Sequence, residues 1–189
     1  MRKLVVTQNI TLDGVIDAAG GWFSPGDDTG ELAEVTSVLQ QQAAAADALL
    51  LGRISFEEMR GFWPHQTDDT TGITDYLNQV QKYVVSSTLT DPEWNNTTVL
   101  PRAAVENVRS LKHEPGADIV VTGSITLVHE LIAADLVDEY RLFVYSVVIG
   151  SGRRLFHDAE NISPITLTKA RRFGPSIALL TYSVTHAET

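Results

Sequence analysis

Short apolar runs rich in β-branched residues alternate along this chain with segments whose apolar positions recur every three or four residues. The first kind predicts buried strands and the second amphipathic helices. Residues 4–9 read as a strand, followed by a long loop marked by Gly14, Gly20, Gly21, Pro25 and Gly26. Asp28 with Glu31 resembles a capping box, and Leu32, Val35, Leu39 and Ala43 follow at helical spacing. Residues 48–51 predict a strand ending at Gly52, and Ser55 with Glu58 predicts a capped helix from about Phe56. The stretch 59–74 reads as loop, and Thr74 as the cap of a short helix carrying Tyr76, Leu77 and Val80. Strands are expected at 83–86 and 97–100, then a helix opened by Pro101 with Val105, Val108 and Leu111 on one face. Residues 119–122 form the next expected strand, closed by Gly123, and a helix from about Ile125 carries Leu127, Val128, Leu131 and Ile132. A long strand at 141–149 is broken by Gly150 and Gly152, and strands at 165–173 and 177–185 are joined by Gly174-Pro175.

Strands thus alternate with helices until about residue 145, and a hairpin closes the chain. That order predicts an α/β domain with a mostly parallel sheet and an antiparallel edge. A single domain over residues 1–189 is expected, because no Pro-, Ser- or Gly-rich linker interrupts the pattern. In such sheets ligands bind beyond the carboxyl ends of the strands, which directs attention there.

Three strand ends run into small or polar residues: Leu51-Gly52-Arg53-Ile54-Ser55, Val85-Ser86-Ser87-Thr88 and Val121-Thr122-Gly123-Ser124. At the first and third a helix follows almost at once. A helix N-terminus offers free N–H groups and partial positive charge, which suits phosphate, and Arg53 adds a full charge. Any one of these turns is ordinary for a βα connection; three together point to a ligand.

Charge narrows the partners. With 24 acidic and 14 basic residues the net charge is −10, and the basic residues are scattered, so nucleic acid and anionic membranes are not expected partners. The absence of cysteine excludes a disulfide scaffold, a thiolate zinc site and a Cys nucleophile. His65, His113, His129, His157 and His186 show no metal-ligand spacing, so no metal is expected. No Gly-x-Ser-x-Gly elbow occurs, which speaks against a serine hydrolase. The first residues do not read as a signal peptide, and no apolar run approaches a membrane span. A soluble, cytoplasmic protein is expected.

The strings Leu50-Leu51-Gly52-Arg53-Ile54-Ser55-Phe56-Glu57, Lys82-Tyr83-Val84-Val85-Ser86-Ser87 and Thr122-Gly123-Ser124 resemble, in order, motifs of the dihydrofolate reductase-like family. Thr11-Leu12-Asp13-Gly14, Leu136-Val137-Asp138-Glu139-Tyr140 and Gly150-Ser151-Gly152-Arg153-Arg154-Leu155-Phe156 are similar to one branch of it. That branch is the reductase domain of bifunctional riboflavin-biosynthesis enzymes and its stand-alone relatives. The resemblance implies a twisted sheet of about eight strands, NADPH as cofactor, and a homodimer. It assigns Gly52, Arg53, Ser55, Ser86, Ser87, Gly123, Ser124, Ile125 and Leu127 to the cofactor. The chain departs from the family pattern at Ser124, Thr126 and Ser146, where a second Gly, an Arg and a Pro are usual.

Reduction of a C=N or C=O bond requires a hydride from the cofactor and a proton from a positioned group. Two loop carboxylates are candidates, Asp13 and Asp27, with structural readings as an Asp-Gly turn and a helix cap. Trp22 is a candidate substrate-stacking ring or a packing anchor, and Thr11 a candidate hydroxyl at the substrate. The Gly150–Arg153 segment has the glycines and charge to cradle phosphate, but it follows a strand with no clear helix after it and is read as a turn. The expected function is an NADPH-dependent reductase of a pterin- or pyrimidine-like heterocycle. The alternatives are a non-catalytic nucleotide-binding module and a mainly structural protein that dimerises through the apolar strand at 143–149.

Overall fold

The computed structural model describes residues 1–18, 21–22, 30–101, 103–156 and 162–186. Its elements in chain order are β1 (Leu4–Thr11), α1 (Gly30–Ala44), β2 (Ala46–Gly52), α2 (Arg53–Phe62), α3 (Ile73–Gln79), β3 (Gln81–Val85) and β4 (Thr97–Leu100). Then follow α4 (Ala104–His113), β5 (Asp118–Val121), α5 (Ile125–Ala133), β6 (Glu139–Tyr145), β7 (Ile165–Phe173) and β8 (Ile177–Val184). The strands form one sheet in the order β4-β3-β2-β5-β1-β6-β8-β7. All neighbours from β4 to β6 are parallel; β8 and β7 run antiparallel.

The central strands are covered on both faces, as their nearly continuous apolar sequence requires. Leu4 and Val6 of β1, Leu50 of β2 and Ile119 and Val121 of β5 pack on one face with Val108 and Leu111 of α4 and Val128 and Leu131 of α5. On the other face Leu49, Leu51 and Val84 pack with Phe56 of α2, Leu77 of α3 and Trp94. Farther along that second face, Val35 and Val38 of α1 meet Phe143, Phe173, Ile177 and Leu179. Phe56 is fully buried one turn into α2, so it fixes the helix that starts at the cleft described below.

The expected strand and helix order holds, and the boundaries move for identifiable reasons. Helix α2 begins at Arg53 rather than near Phe56, and it continues to Phe62 with a 3₁₀ turn at Trp63–His65, inside the expected loop. Ser55 does not cap it, because its hydroxyl is taken by the backbone of another strand end. Thr74 is not the cap of α3 either. Gly72 occupies that position, and the Asp69 carboxylate accepts the N–H groups of Thr71 and Thr74 at 2.8 Å each. The strand expected at 141–149 stops at Tyr145. Beyond it, Val147 O accepts the Leu12 N–H, and the Ile149 and Gly150 N–H groups go to Asp13. Those backbone groups are claimed by the first loop, so they cannot continue the ladder. Phe143, on a strand with one face expected to pack on the domain's own helices and the other to need a helix or a second subunit, is covered by α1 within the chain.

Candidate active-site cleft

At the carboxyl ends of β3, β2, β5 and β1 lies an open cleft of about 870 Å³. The path from β2 to β3 runs through α2 and α3 on one face of the sheet. The path from β5 to β6 runs through α5 on the other. The connections therefore diverge between two adjacent strands, which leaves a crevice between the starts of α2 and α5.

Side-chain hydrogen bonds set the separation of those two helix starts. Gly123 and Ser124 both adopt left-handed backbone, at φ +57° and +47°. For Ser124 that conformation costs about 1–2 kcal/mol. Its N–H donates to Ser55 Oγ at 2.8 Å, and its own Oγ accepts the Gly52 N–H at 3.0 Å. Gly123 is held from below by Gln8, whose side-chain amide donates to Gly123 O at 2.8 Å and accepts the Gly123 N–H at 3.1 Å. A Cβ on Gly123 would lie 3.1 Å from Ser55 Oγ, so close approach as well as positive φ favours glycine there.

This arrangement suits a diphosphate. Ser55 and Ser124 both use their oxygens as acceptors, so each hydroxyl keeps its proton to donate. The first amides of α2 and α5 lie outside helical hydrogen bonding, and the α5 ladder begins with the Val128 N–H on Ser124 O at 2.9 Å. Both helix dipoles present their positive ends to the same crevice. Arg53 stands at the first position of α2, half-exposed and paired with Glu57 at 2.7 Å. An exposed ion pair of this kind contributes about 0–1 kcal/mol, so an incoming phosphate can exchange for Glu57 at little cost.

All nine residues that the motifs assign to a cofactor line this cleft: Gly52, Arg53, Ser55, Ser86, Ser87, Gly123, Ser124, Ile125 and Leu127. Ser86 has a local task, since its Oγ accepts the Thr88 and Leu89 N–H groups at 3.1 and 2.9 Å. Ser87 beside it is exposed. The sequence reading missed Ile16, Asp17, Glu58 and Glu130, which share the wall with Thr88 of the second strand end and with Arg153 of the segment read as a turn. Gln8 was also missed, although a glutamine inside an otherwise apolar strand is a detectable signal, because a buried amide must find partners.

The substrate-side candidates fare differently. Thr11 is 1 % exposed; its hydroxyl donates to Asp13 Oδ1 at 2.7 Å and accepts the Val15 N–H at 2.9 Å. Asp13 receives that hydroxyl, the Gly150 N–H at 2.8 Å and the Ile149 N–H at 3.3 Å. Neither residue is among those lining the cleft. Trp22 acts as an anchor: its Nε1–H donates to Asp17 O at 2.7 Å and its ring meets Tyr145 edge-on at 5.6 Å. Asp27 lies outside the described residues. The Gly150–Arg153 segment is the expected turn, and it docks on the first loop through Ile16 N–H to Arg153 O and Leu155 N–H to Gly14 O.

The Thr11 hydroxyl, followed by the Gly150 N–H, holds the Asp13 carboxyl down to about 2. Asp13 is therefore an ionised latch between two loops and has no proton to give at neutral pH. Because its folded pKa is depressed, its stabilisation is complete above the unfolded value of about 4 and is lost as pH falls toward 2. Asp13→Asn is expected to remove the corresponding step from a stability-versus-pH profile followed by tryptophan fluorescence. An unchanged profile would mean that the latch does not hold the loops.

Known proteins place this architecture. The uncharacterized protein YyaP of Bacillus subtilis (strain 168) is 30% identical over 186 residues, covering 96% of this chain and 94% of YyaP. A pyrimidine reductase-like protein from Corynebacterium diphtheriae superposes with a TM-score of 0.67 at 12% identity, over 98% of this chain and 93% of that one. A diaminohydroxyphosphoribosylaminopyrimidine deaminase/5-amino-6-(5-phosphoribosylamino)uracil reductase from Thermotoga maritima superposes with a TM-score of 0.65 at 16% identity. That alignment covers 97% of this chain and 57% of the longer protein. The dihydrofolate reductase-like fold expected from the motifs is thus the fold observed. Among the described residues no helix is long and apolar enough to cross a membrane. The RibD C-terminal domain model matches residues 2–179 of the 189, and the chain belongs to that family of reductase domains.

Proposed function

We propose that this protein is an NADPH-dependent reductase of a pterin- or pyrimidine-like heterocycle. The observation that supports it best is the crevice between α2 and α5, where two helix N-termini and two serine hydroxyls offer donors to one diphosphate. The amides at the starts of both helices, with Ser55 and Ser124, would hold the pyrophosphate. Arg53 would meet the 2′-phosphate, and Ser87 would flank the adenosine. Bound there, the cofactor supplies the hydride. The chain's own part is to orient the acceptor and deliver a proton.

Arg53→Ala tests the cofactor. Loss of a charge-assisted contact of about 1.5–3 kcal/mol should weaken NADPH binding roughly ten- to a hundredfold and leave NADH nearly unchanged. Fluorescence titration of both nucleotides measures this. Equal losses would remove Arg53 from the 2′-phosphate, and no binding of either nucleotide would sink the reading.

With Asp13 committed to its loop contacts, Asp27 is the loop carboxylate proposed to deliver the proton. Asp27→Asn should keep NADPH affinity and lower turnover of a reducible heterocycle by about 10²–10⁴-fold, the usual contribution of a positioned acid–base group. Unaltered turnover would exclude it. The cytoplasm is the proposed location, in keeping with a cysteine-free chain and a soluble cofactor.

A homodimer is part of the same proposal. Edge strand β7 is exposed along its length except at Phe173. Ile165 pairs with Val184 and Leu167 with Tyr182, which sets these four side chains on one face of the sheet. Ile165 and Leu167 are 40 % and 53 % exposed. Lys169, Arg171 and Arg172 guard the free edge against strand addition, so a second copy would pack on the face. Light scattering should give twice the chain mass, falling to one chain for Leu167→Glu. A monomeric wild type at micromolar concentration refutes the dimer.

A further inference from the structure

A buried cation lies in β3, below the strand end that carries Ser86 and Ser87, and lines no part of the cleft. Lys82 is fully buried on the face of the sheet that holds Val84. Its bonds among the described residues go to main-chain carbonyls and to no carboxylate. Nζ donates to Leu77 O at 2.6 Å and to Val80 O at 3.0 Å. These carbonyls close the carboxyl end of α3, where the helix presents partial negative charge. The same ammonium stands over the Trp94 ring, 4.6 Å from its centroid. An ammonium has three donors, and two carbonyls and an aromatic face use them all.

Such a site is costly. Burying a cation without a counter-ion disfavours its charged form, and apolar replacements of buried ionic groups are often neutral or stabilising. Burial pushes the Lys82 ammonium down to about 8. No shift comes from the charged and titratable groups of the surrounding elements: Asp47 of β2, Arg60 of α2, His65 of the 3₁₀ turn, Asp75 and Tyr76 of α3, and Glu93 of the loop after β3. A cation that opposes folding while every donor is satisfied points to a placement task.

Trp94 shows what is placed. It belongs to residues 86–96, which lead from β3 to β4 and begin with Ser86, Ser87 and Thr88 in the cleft wall. The Trp94 ring also meets Phe56 of α2, with centroids 5.7 Å apart, and its Nε1–H donates to Asn78 Oδ1 at 2.8 Å. On either side of it Glu93 and Asn96 adopt left-handed backbone, at φ +46° and +54°. Side chains rarely take that conformation, and it persists only where the surroundings enforce it. The loop therefore depends on its one buried ring.

We propose that Lys82 is a positioning residue, whose buried ammonium clamps Trp94 against α3 and thereby holds the Ser86–Thr88 wall of the cleft. Without its third proton the amine would turn a lone pair toward the ring, whose face is itself negative. The effect on NADPH rests on the cofactor reading above; the clamp itself does not.

Hydrogen exchange at neutral pH, followed by mass spectrometry, tests the clamp. Lys82→Met should speed exchange in residues 86–96 by about tenfold or more, the loss of one charge-assisted contact, and leave β1 unchanged. In a Trp94→Leu background the same substitution should add little, because the ring is the intermediary. The wild type gives a second measurement that needs no Lys82 variant. Its tryptophan emission should shift with a midpoint of about pH 8, and the shift should vanish in Trp94→Leu. Because the folded pKa is depressed, the unfolded chain keeps the extra proton from about 8 up to the ordinary value of 10.5. Thermal stability should therefore rise across that window in the wild type, while the emission reports the lost contact, and the rise should be absent from Lys82→Met. NADPH should bind Lys82→Met more weakly than wild type. If NADPH binds neither form while exchange at 86–96 still responds to Lys82, the clamp stands and the dinucleotide reading falls. Unchanged exchange at 86–96, equal acceleration throughout the chain, full additivity with Trp94→Leu, or emission that does not respond between pH 7 and 9 overturns the proposal.

Discussion

The Ser124 amide sits in a left-handed turn and needs an acceptor from outside its own strand. Ser55 Oγ provides it at 2.8 Å, and Ser124 Oγ in turn holds the Gly52 N–H at 3.0 Å. These two bonds tie the end of β2 to the end of β5, where the chain departs to opposite faces of the sheet. Without them the starts of α2 and α5 would be free to separate, and the donors that face the cleft would no longer converge. The rest of the cleft wall is arranged around that fixed crevice.

A second set of bonds governs the other end. Asp13 gathers Thr11, Ile149 and Gly150, while Ile16 and Leu155 exchange backbone bonds with the facing loop. A carboxylate with three donors stays ionised and serves as a rigid acceptor. The loop after β6 thereby becomes part of the cleft wall. It brings Arg153 within 2.9 Å of Asp17, a residue 136 positions away in sequence.

The two ends differ in electrostatic character. Helix dipoles, serine hydroxyls and Arg53 make one end a donor surface for phosphate. At the other, Arg153 is half-compensated by Asp17. An acidic protein can still bind anions when donors are fixed and convergent, because the local field of oriented dipoles outweighs a screened distant net charge.

Much of this was legible in the chain. The apolar runs of β1, β2 and β5 fixed their place as buried parallel strands, and Ile165–Phe173 with Gly174-Pro175 announced the antiparallel hairpin. The residues after Gly52, Val85 and Thr122 marked the end of the cleft where α2 and α5 begin, because strand-end glycines and serines beside a helix start are a local pattern. The role of Asp13 was not legible, since its partners Ile149 and Gly150 lie more than 130 residues away and donate backbone groups that carry no sequence signature. Ser55 looked like a helix cap for the same reason: its true donor is the Ser124 amide. Sequence determined which segments become strands and helices and which turns can approach a phosphate, because those depend on periodicity and local backbone freedom. Tertiary structure alone decided that Asp13 is a latch and that Asp17 and Arg153 meet, because hydrogen bonds between distant loops exist only after the sheet has set their spacing.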